Sequence, residues 1–171
     1  MESLFKKINP NTLSENFFTA LNNDWGLLTA GKPDNFNTMT VSWGTFGIMW
    51  NKPVLICFVR PQRYTYEFMN KNHYFTLSFF NSEFKDSLDY CGKYSGRNTD
   101  KIKGTDLVPY TTDLGNVIYE QSRLAFECKK LYADNLNPEA FVDQTIIPST
   151  YQKSDFHRMF IGEIVTCLKP Y

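Results

Sequence analysis

Six stretches of this 171-residue chain are dense in β-branched and aromatic residues, and the segments between them do not alternate with helices in the way a parallel sheet requires. The stretches are Trp25 to Ala30, Thr38 to Trp43, Val54 to Val59, Tyr74 to Phe80, Leu124 to Tyr132 and His157 to Leu168. Gly31-Lys32-Pro33-Asp34-Asn35 is a turn cluster, so the first two read as a hairpin with a loose loop. A mainly β fold follows, six-stranded and antiparallel with a few short helices, closed or partly closed into a barrel. The length suits one domain over residues 1–171, and no repeat, low-complexity tract or linker divides it.

Three helices fit between the strands. Asn11 or Thr12 is placed to cap one that carries Phe17, Phe18 and Leu21 on one side. Thr65 caps a second that runs through Asn70, and Ser82 a third with Phe84, Leu88 and Cys91 on one face. His73, after the second helix, suits the negative end of its dipole. Gly162, inside the last strand, marks a bulge or a close backbone approach. Asn135 to Ser154 holds two prolines and shows no pattern that assigns it to an element.

Charge and cysteine content narrow the function. Lys plus Arg equals Asp plus Glu, 18 against 18, and no long basic run is present, so nucleic acid is not an expected partner. Polar residues interrupt residues 1–28 throughout, unlike a signal peptide, and the strongest apolar run, Val54 to Val59, is far too short to span a bilayer. A cytoplasmic protein without membrane contact is expected. The four cysteines form no CxxC pair, and with His73 and His157 the only histidines there is no zinc pattern. Cys57, Cys128 and Cys167 lie in apolar strand-like runs, where reduced buried thiols are the default, and no metal is expected.

No nucleophile elbow, P-loop or dinucleotide-binding glycine fingerprint occurs, and carboxylates are scattered. An enzyme of this composition relies on a bound organic cofactor for its chemistry. The aromatic content, 16%, serves a β-rich core or a surface that stacks a flat ligand. In the second strand Thr38, Thr40 and Ser42 alternate with Met39, Val41 and Trp43, which puts hydroxyls on one face and apolar groups on the other. That pattern fits an edge strand with a wet face, and equally a hydroxyl-lined wall against a polar ligand.

Several residues suit a phosphate. Arg60 and Arg63 flank a proline-stiffened loop that leads into a helix start at Thr65. Tyr94-Ser95-Gly96-Arg97 adds a hydroxyl, a flexible backbone and a guanidinium, with Lys101 one short turn later. Singly each cation reads as a solvated surface charge; together they fall at strand-to-helix and glycine-loop positions.

The run Asn37 to Trp43, then Pro53 to Val59, then Arg60-Pro61-Gln62-Arg63-Tyr64-Thr65, resembles the flavin reductase family with the FMN-binding split barrel. Tyr90 to Arg97 with Asp100-Lys101 is similar to its flavoredoxin-like branch, and the resemblance covers Trp25 to about Leu168. It implies a Greek-key antiparallel split β-barrel, a homodimer and FMN near the subunit interface. Thr38, Met39, Thr40, Val41, Ser42 and Trp43 would lie along the flavin ring, their backbone groups at its polar edge. Arg60, Arg63, Tyr64 and Thr65 would surround the ribityl-phosphate end, and Ser95, Gly96, Arg97 and Lys101 would close over the phosphate.

Many members of that family carry Gly-Asp-His before the last long strand, with a glycine five residues beyond the histidine. His157 and Gly162 keep the spacing, but Asp155 and Phe156 stand where Gly-Asp is usual. His157 is therefore either a flavin-facing residue or a histidine bonded to a neighbouring backbone. Three functions remain open. One is an oxidoreductase that passes electrons from NAD(P)H through FMN to a flavin, a metal complex or a protein. Another is an FMN electron carrier without direct NAD(P)H activity. The last is a non-redox barrel for another phosphorylated or flat ligand.

Overall fold

The computed structural model describes residues 3–171. Among these residues ten strands are present: β1 (Phe5–Ile8), β2 (Gly26–Lys32), β3 (Asn35–Val41), β4 (Gly44–Met49), β5 (Lys52–Val59), β6 (Tyr74–Phe79), β7 (Pro109–Thr111), β8 (Val117–Tyr119), β9 (Leu124–Asn135) and β10 (Arg158–Pro170). All six sequence-predicted strands appear among them, as β2, β3, β5, β6, β9 and β10. The helices are short: α1 (Phe17–Thr19), α2 (Thr65–Lys71), α3 (Lys85–Lys93) and α4 (Ile146–Thr150).

Every ladder is antiparallel, and the main sheet runs β3-β2-β6-β9-β10-β5-β4, with β1 on the far half of β10 and β7-β8 as a separate hairpin. The pairings β2-β6, β6-β9 and β10-β5 join strands that are not consecutive, which is Greek-key connectivity. The two end strands, β3 and β4, are consecutive in the chain and separated only by Ser42 and Trp43. The sheet therefore curls until its ends meet at this bend. β3 pairs with β2 on one edge and no ladder occupies the other, so this is a barrel left split beside β3.

The barrel interior is apolar, built from Leu28, Met39, Val41, Leu55, Cys57, Phe75, Leu77, Phe126 and Phe160 among others. A second cluster, with Leu27, Phe80, Leu88, Cys91 and Tyr119, packs α3 against the outer face of β2. All four cysteines are free and buried. Gly162 combines both features expected of it. The β9-β10 register shifts between Ile161 and Gly162, and a Cβ there would meet the Phe75 ring at 2.6 Å.

The helix caps differ from the sequence reading. Pro10–Thr12 is only a 3-10 turn, and Asn16 caps α1 by accepting from the Phe18 and Thr19 N–H groups. A π-turn over Ala20–Asp24 then buries Leu21 while Phe18 stays 91% exposed, so the two do not share a buried face. Ser82 begins a 3-10 turn and makes no side-chain cap for α3. At the end of α2 Lys130, from β9, donates to the Met69 and Asn70 carbonyls. Asn16 is adjacent to its helix, whereas Lys130 comes from a strand that local sequence does not bring near.

Candidate functional site

β3 organises the site. Its hydroxyl face is not an open wall. The Thr38 hydroxyl is buried, donating to the Leu28 carbonyl at 3.1 Å and lying 3.0 Å from the Thr29 hydroxyl, which in turn meets Tyr119. The Thr40 hydroxyl donates to the Leu88 carbonyl of α3. Met39 and Val41 point into the barrel. With both faces of β3 covered, what remains for a ligand is its unpaired backbone edge, together with Ser42 and Trp43 at the bend.

Beside that edge is a cleft of about 260 Å³ lined by Met39 to Trp43, Phe58, Arg60 and His157. A larger, mainly apolar groove of about 790 Å³ adjoins it across Ser42, Trp43 and Phe58, and is walled by Phe17, Phe18, Phe46, Leu136 and Tyr151. Phe17 and Phe46 stack there with ring centroids 3.8 Å apart.

The cations divide into two sets. Arg60 and Arg97 are paired with carboxylates. Arg60 bonds Asp155 at 2.5 Å and the Thr150 carbonyl at 3.1 Å. Arg97 bonds Glu67 at 2.5 Å and the Gln62 carbonyl at 3.2 Å, and lies over the Tyr64 ring at 4.9 Å. Arg63 and Lys101 meet no carboxylate among the described residues. Arg63 Nη1 donates to the Gly92 carbonyl at 2.7 Å, while its Nη2 is buried with no hydrogen-bond partner. Lys101 is 6% exposed and donates to the Thr38 and Cys91 carbonyls at 2.7 and 2.8 Å. Burial, and secondarily the charge of Arg63, hold the Lys101 ammonium down at about 8, although the neighbouring Cys91 thiol works in the other direction. Burial likewise lowers Arg63. Two desolvated positive charges side by side are costly unless an anion joins them.

Thr65 is fully buried, but it does not cap α2. The cap comes across the fold from Asn37, which sequence reasoning did not count among the site residues. Its amide lies 2.7 Å from the Thr65 hydroxyl. With the amide oxygen turned to that side, it also accepts from the Thr65 and Thr38 N–H groups at 3.2 Å. Gly96 seats the 95–97 loop against this junction, because a Cβ at Gly96 would fall 1.9 Å from the outer atom of the Asn37 amide and 3.2 Å from the Tyr64 ring. Ser95 is exposed and accepts from the Arg97 N–H. Thus Arg63, Tyr64, Thr65, Gly96 and Lys101 gather around the Asn37 end of β3, while Arg60 and His157 lie at the Trp43 end.

His157 is 8% exposed, and its Nδ1 lies 2.9 Å from the Tyr151 hydroxyl, with the Trp43 ring 5.1 Å away. Burial first, and then Arg60, depress it to about 4, against the pull of Asp155, so it is neutral at physiological pH. Neither a metal-binding group of His, Cys, Asp and Glu nor a helix long and apolar enough to cross a membrane occurs among the described residues.

A split antiparallel barrel with a cation-lined cleft at an unpaired strand edge defines a ligand-binding barrel. The flavin reductase like domain model matches residues 20–170, and the chain belongs to that family, which gives it a flavin-binding, oxidoreductase-type role. Solved structures agree in fold. Flavoredoxin from Methanosarcina acetivorans superposes with a TM-score of 0.65 at 24% identity over 85% of this chain and 68% of that one. The FMN-binding protein from Thermus thermophilus, with bound 1-cyclohex-2-enone, gives 0.66 at 22% over 85% and 69%. An NADH:FAD oxidoreductase from Streptomyces globisporus gives 0.65 at 13% over 86% and 75%. No curated protein matches the chain.

Proposed function

We propose that the chain binds FMN and passes electrons from NAD(P)H through it to a flavin, a metal complex or a protein acceptor. The observation that carries the flavin assignment to FMN is the Arg63–Lys101 pair. The orphaned Arg63 Nη2 and the carboxylate-free Lys101 fit a terminal phosphate dianion at the Asn37 end of β3. Ser42 is four residue steps from Thr38, about 13 Å of extended chain, so a phosphate at one end leaves a ring system at the other, beside Trp43. FMN supplies the redox chemistry when bound. The chain's own residues bind, orient and shield: the β3 edge offers backbone N–H and C=O groups, and Trp43, Phe58 and His157 wall the cleft.

The apolar groove beyond Trp43 gives room for a second planar molecule next to the first, which supports a nicotinamide donor. Anaerobic mixing of FMN-loaded protein with NADH and then NADPH tests this: the flavin absorbance is expected to bleach with at least one. The replacement of Gly-Asp by Asp155-Phe156, with Asp155 engaged by Arg60, favours the carrier reading as the alternative, in which neither nicotinamide bleaches the flavin but a reduced protein partner does. Equilibrium dialysis decides FMN against FAD, and equal or tighter FAD binding refutes the assignment.

The proposal includes a homodimer in the cytoplasm. The exposed Phe18 and half-exposed Trp43 at the groove rim support the dimer, and the four free thiols support a reducing compartment. Sedimentation of the FMN-loaded protein as a stable monomer at micromolar concentration overturns the dimer.

A further inference from the structure

Residues 136–156, which include most of the Asn135 to Ser154 segment that the sequence pattern does not assign, form a connection that returns to the cleft at Tyr151. This residue's ring is fixed on several sides. Phe156 stacks on it with centroids 4.6 Å apart, Phe141 meets it edge-on at 5.9 Å, and the Arg60 guanidinium lies 5.3 Å from its centre. Its hydroxyl is 2.9 Å from His157 Nδ1 and has no other partner among the described residues. Donating to Nδ1 is the arrangement that uses the hydroxyl proton. A neutral imidazole that accepts at Nδ1 carries its own proton on Nε2. His157 Nε2 makes no hydrogen bond within the described residues, and the ring lines the cleft with Trp43 and Phe58.

The charged groups that face this ring are Arg60, at the end of β5, and Asp155, in the connection before β10, and they pair with each other. The cleft around His157 therefore offers a neutral N–H donor, apolar walls and a balanced ion pair. A neutral carbonyl oxygen suits that setting better than a carboxylate does, since a carboxylate would lose hydration without meeting a free cation.

We propose that Tyr151 is a positioning residue for His157, holding the imidazole as the Nε2–H tautomer so that one neutral donor points at the carbonyl oxygen of a reactant in the cleft. This rests on the flavin reading above for its place in a reaction, but not for its geometry.

The two histidines of the chain make the test direct, because long-range proton–nitrogen spectra of the full-length protein show only His73 and His157, and His73→Gln assigns them. At about pH 6, where a free imidazole is largely protonated, His157 is expected to show a protonated Nε2 and an unprotonated, hydrogen-bonded Nδ1. In Tyr151→Phe, which keeps the aromatic packing, the Nδ1 resonance is expected to shift and both tautomers to appear. Millimolar nicotinamide, as a carbonyl probe, is expected to shift Nε2, and nicotinate is not. An Nδ1–H tautomer in the wild type, or an unchanged Tyr151→Phe spectrum, overturns the role of Tyr151. Equal or absent responses to the two probes overturn the carbonyl assignment. Flavin retention is read separately: a protein that keeps the fixed tautomer but holds no flavin refutes the proposed function and leaves Tyr151 standing.

Discussion

Arg63 and Lys101 reach the end of α3 from different segments and bond consecutive carbonyls, Arg63 that of Gly92 and Lys101 that of Cys91. Positive groups at a helix C-terminus satisfy carbonyls that have no intrahelical partner. Each cation keeps donors beyond those bonds, and this is where a phosphate would bind. Arg63→Ala is expected to weaken FMN binding by roughly ten- to a hundredfold, from the loss of about 1.5–3 kcal/mol of charge-assisted hydrogen bonding, and to leave riboflavin binding nearly unchanged. Arg97→Ala is expected to discriminate less, because Glu67 already holds that guanidinium. Titration of both variants with both ligands measures this. An equal FMN-specific loss in the two would show that Glu67 releases Arg97 to the phosphate.

The pH dependence of FMN affinity follows from Lys101. Without a ligand its ammonium loses its proton near 8. An anion prefers the charged form, so affinity is expected to fall as pH rises through about 8. Below about pH 6 the phosphate itself becomes a monoanion, and affinity falls again. Riboflavin lacks the phosphate and is expected to give a flatter profile. Dissociation constants for the two flavins between pH 5.5 and 9.5 (a range of roughly four units around the two titrations) check the contrast.

His157 sets an acid limit. Its folded value, about 4, lies below the unfolded 6.5, so between these pH values the unfolded chain binds more protons. The stability from keeping this ring neutral is complete above about 6.5 and declines as pH falls towards about 4, by up to about 3 kcal/mol. The decline is expected to be smaller in His157→Gln. Denaturant midpoints of the two proteins across that window test it, and parallel curves would remove His157 as the cause.

Gly96→Ala is expected to destabilise both the fold and the flavin site. The new Cβ would overlap the Asn37 amide, so either the 95–97 loop or the Asn37 cap must move. Loss of a cap costs about 1 kcal/mol. Melting and FMN titration should therefore fall together; a variant that melts as the wild type does and binds FMN normally would show that the loop gives way freely.

The fold was legible where strands carry their own pattern. β2, β3, β5, β6, β9 and β10 are long enough for β-branched and aromatic runs to mark them. β4 was not: Gly44-Thr45-Phe46-Gly47-Ile48-Met49 holds two glycines, and the expected second strand was run on through Trp43 although β3 stops at Val41. β1, β7 and β8 have only three or four residues each and owe their extended form to distant partners, such as the far half of β10 for β1. The same division holds in the site. The residue types around a phosphate could be read locally. Which arginine stays free could not, because it depends on Asp155, 95 residues from Arg60, and on Glu67, 30 residues from Arg97. Asn37 was passed over for the same reason: its role exists only once α2 is folded against β3.

The bend at Ser42–Trp43 bears on how a ligand gets in. In most barrels the first and last strands are zipped together, and entry means loosening a hydrogen-bonded seam. Here the two end strands are joined at one end by a covalent link of two residues and share no ladder, so the free edge of β3 is open without a hydrogen-bonded seam being broken. A ligand that docked at this edge would leave the ladder intact.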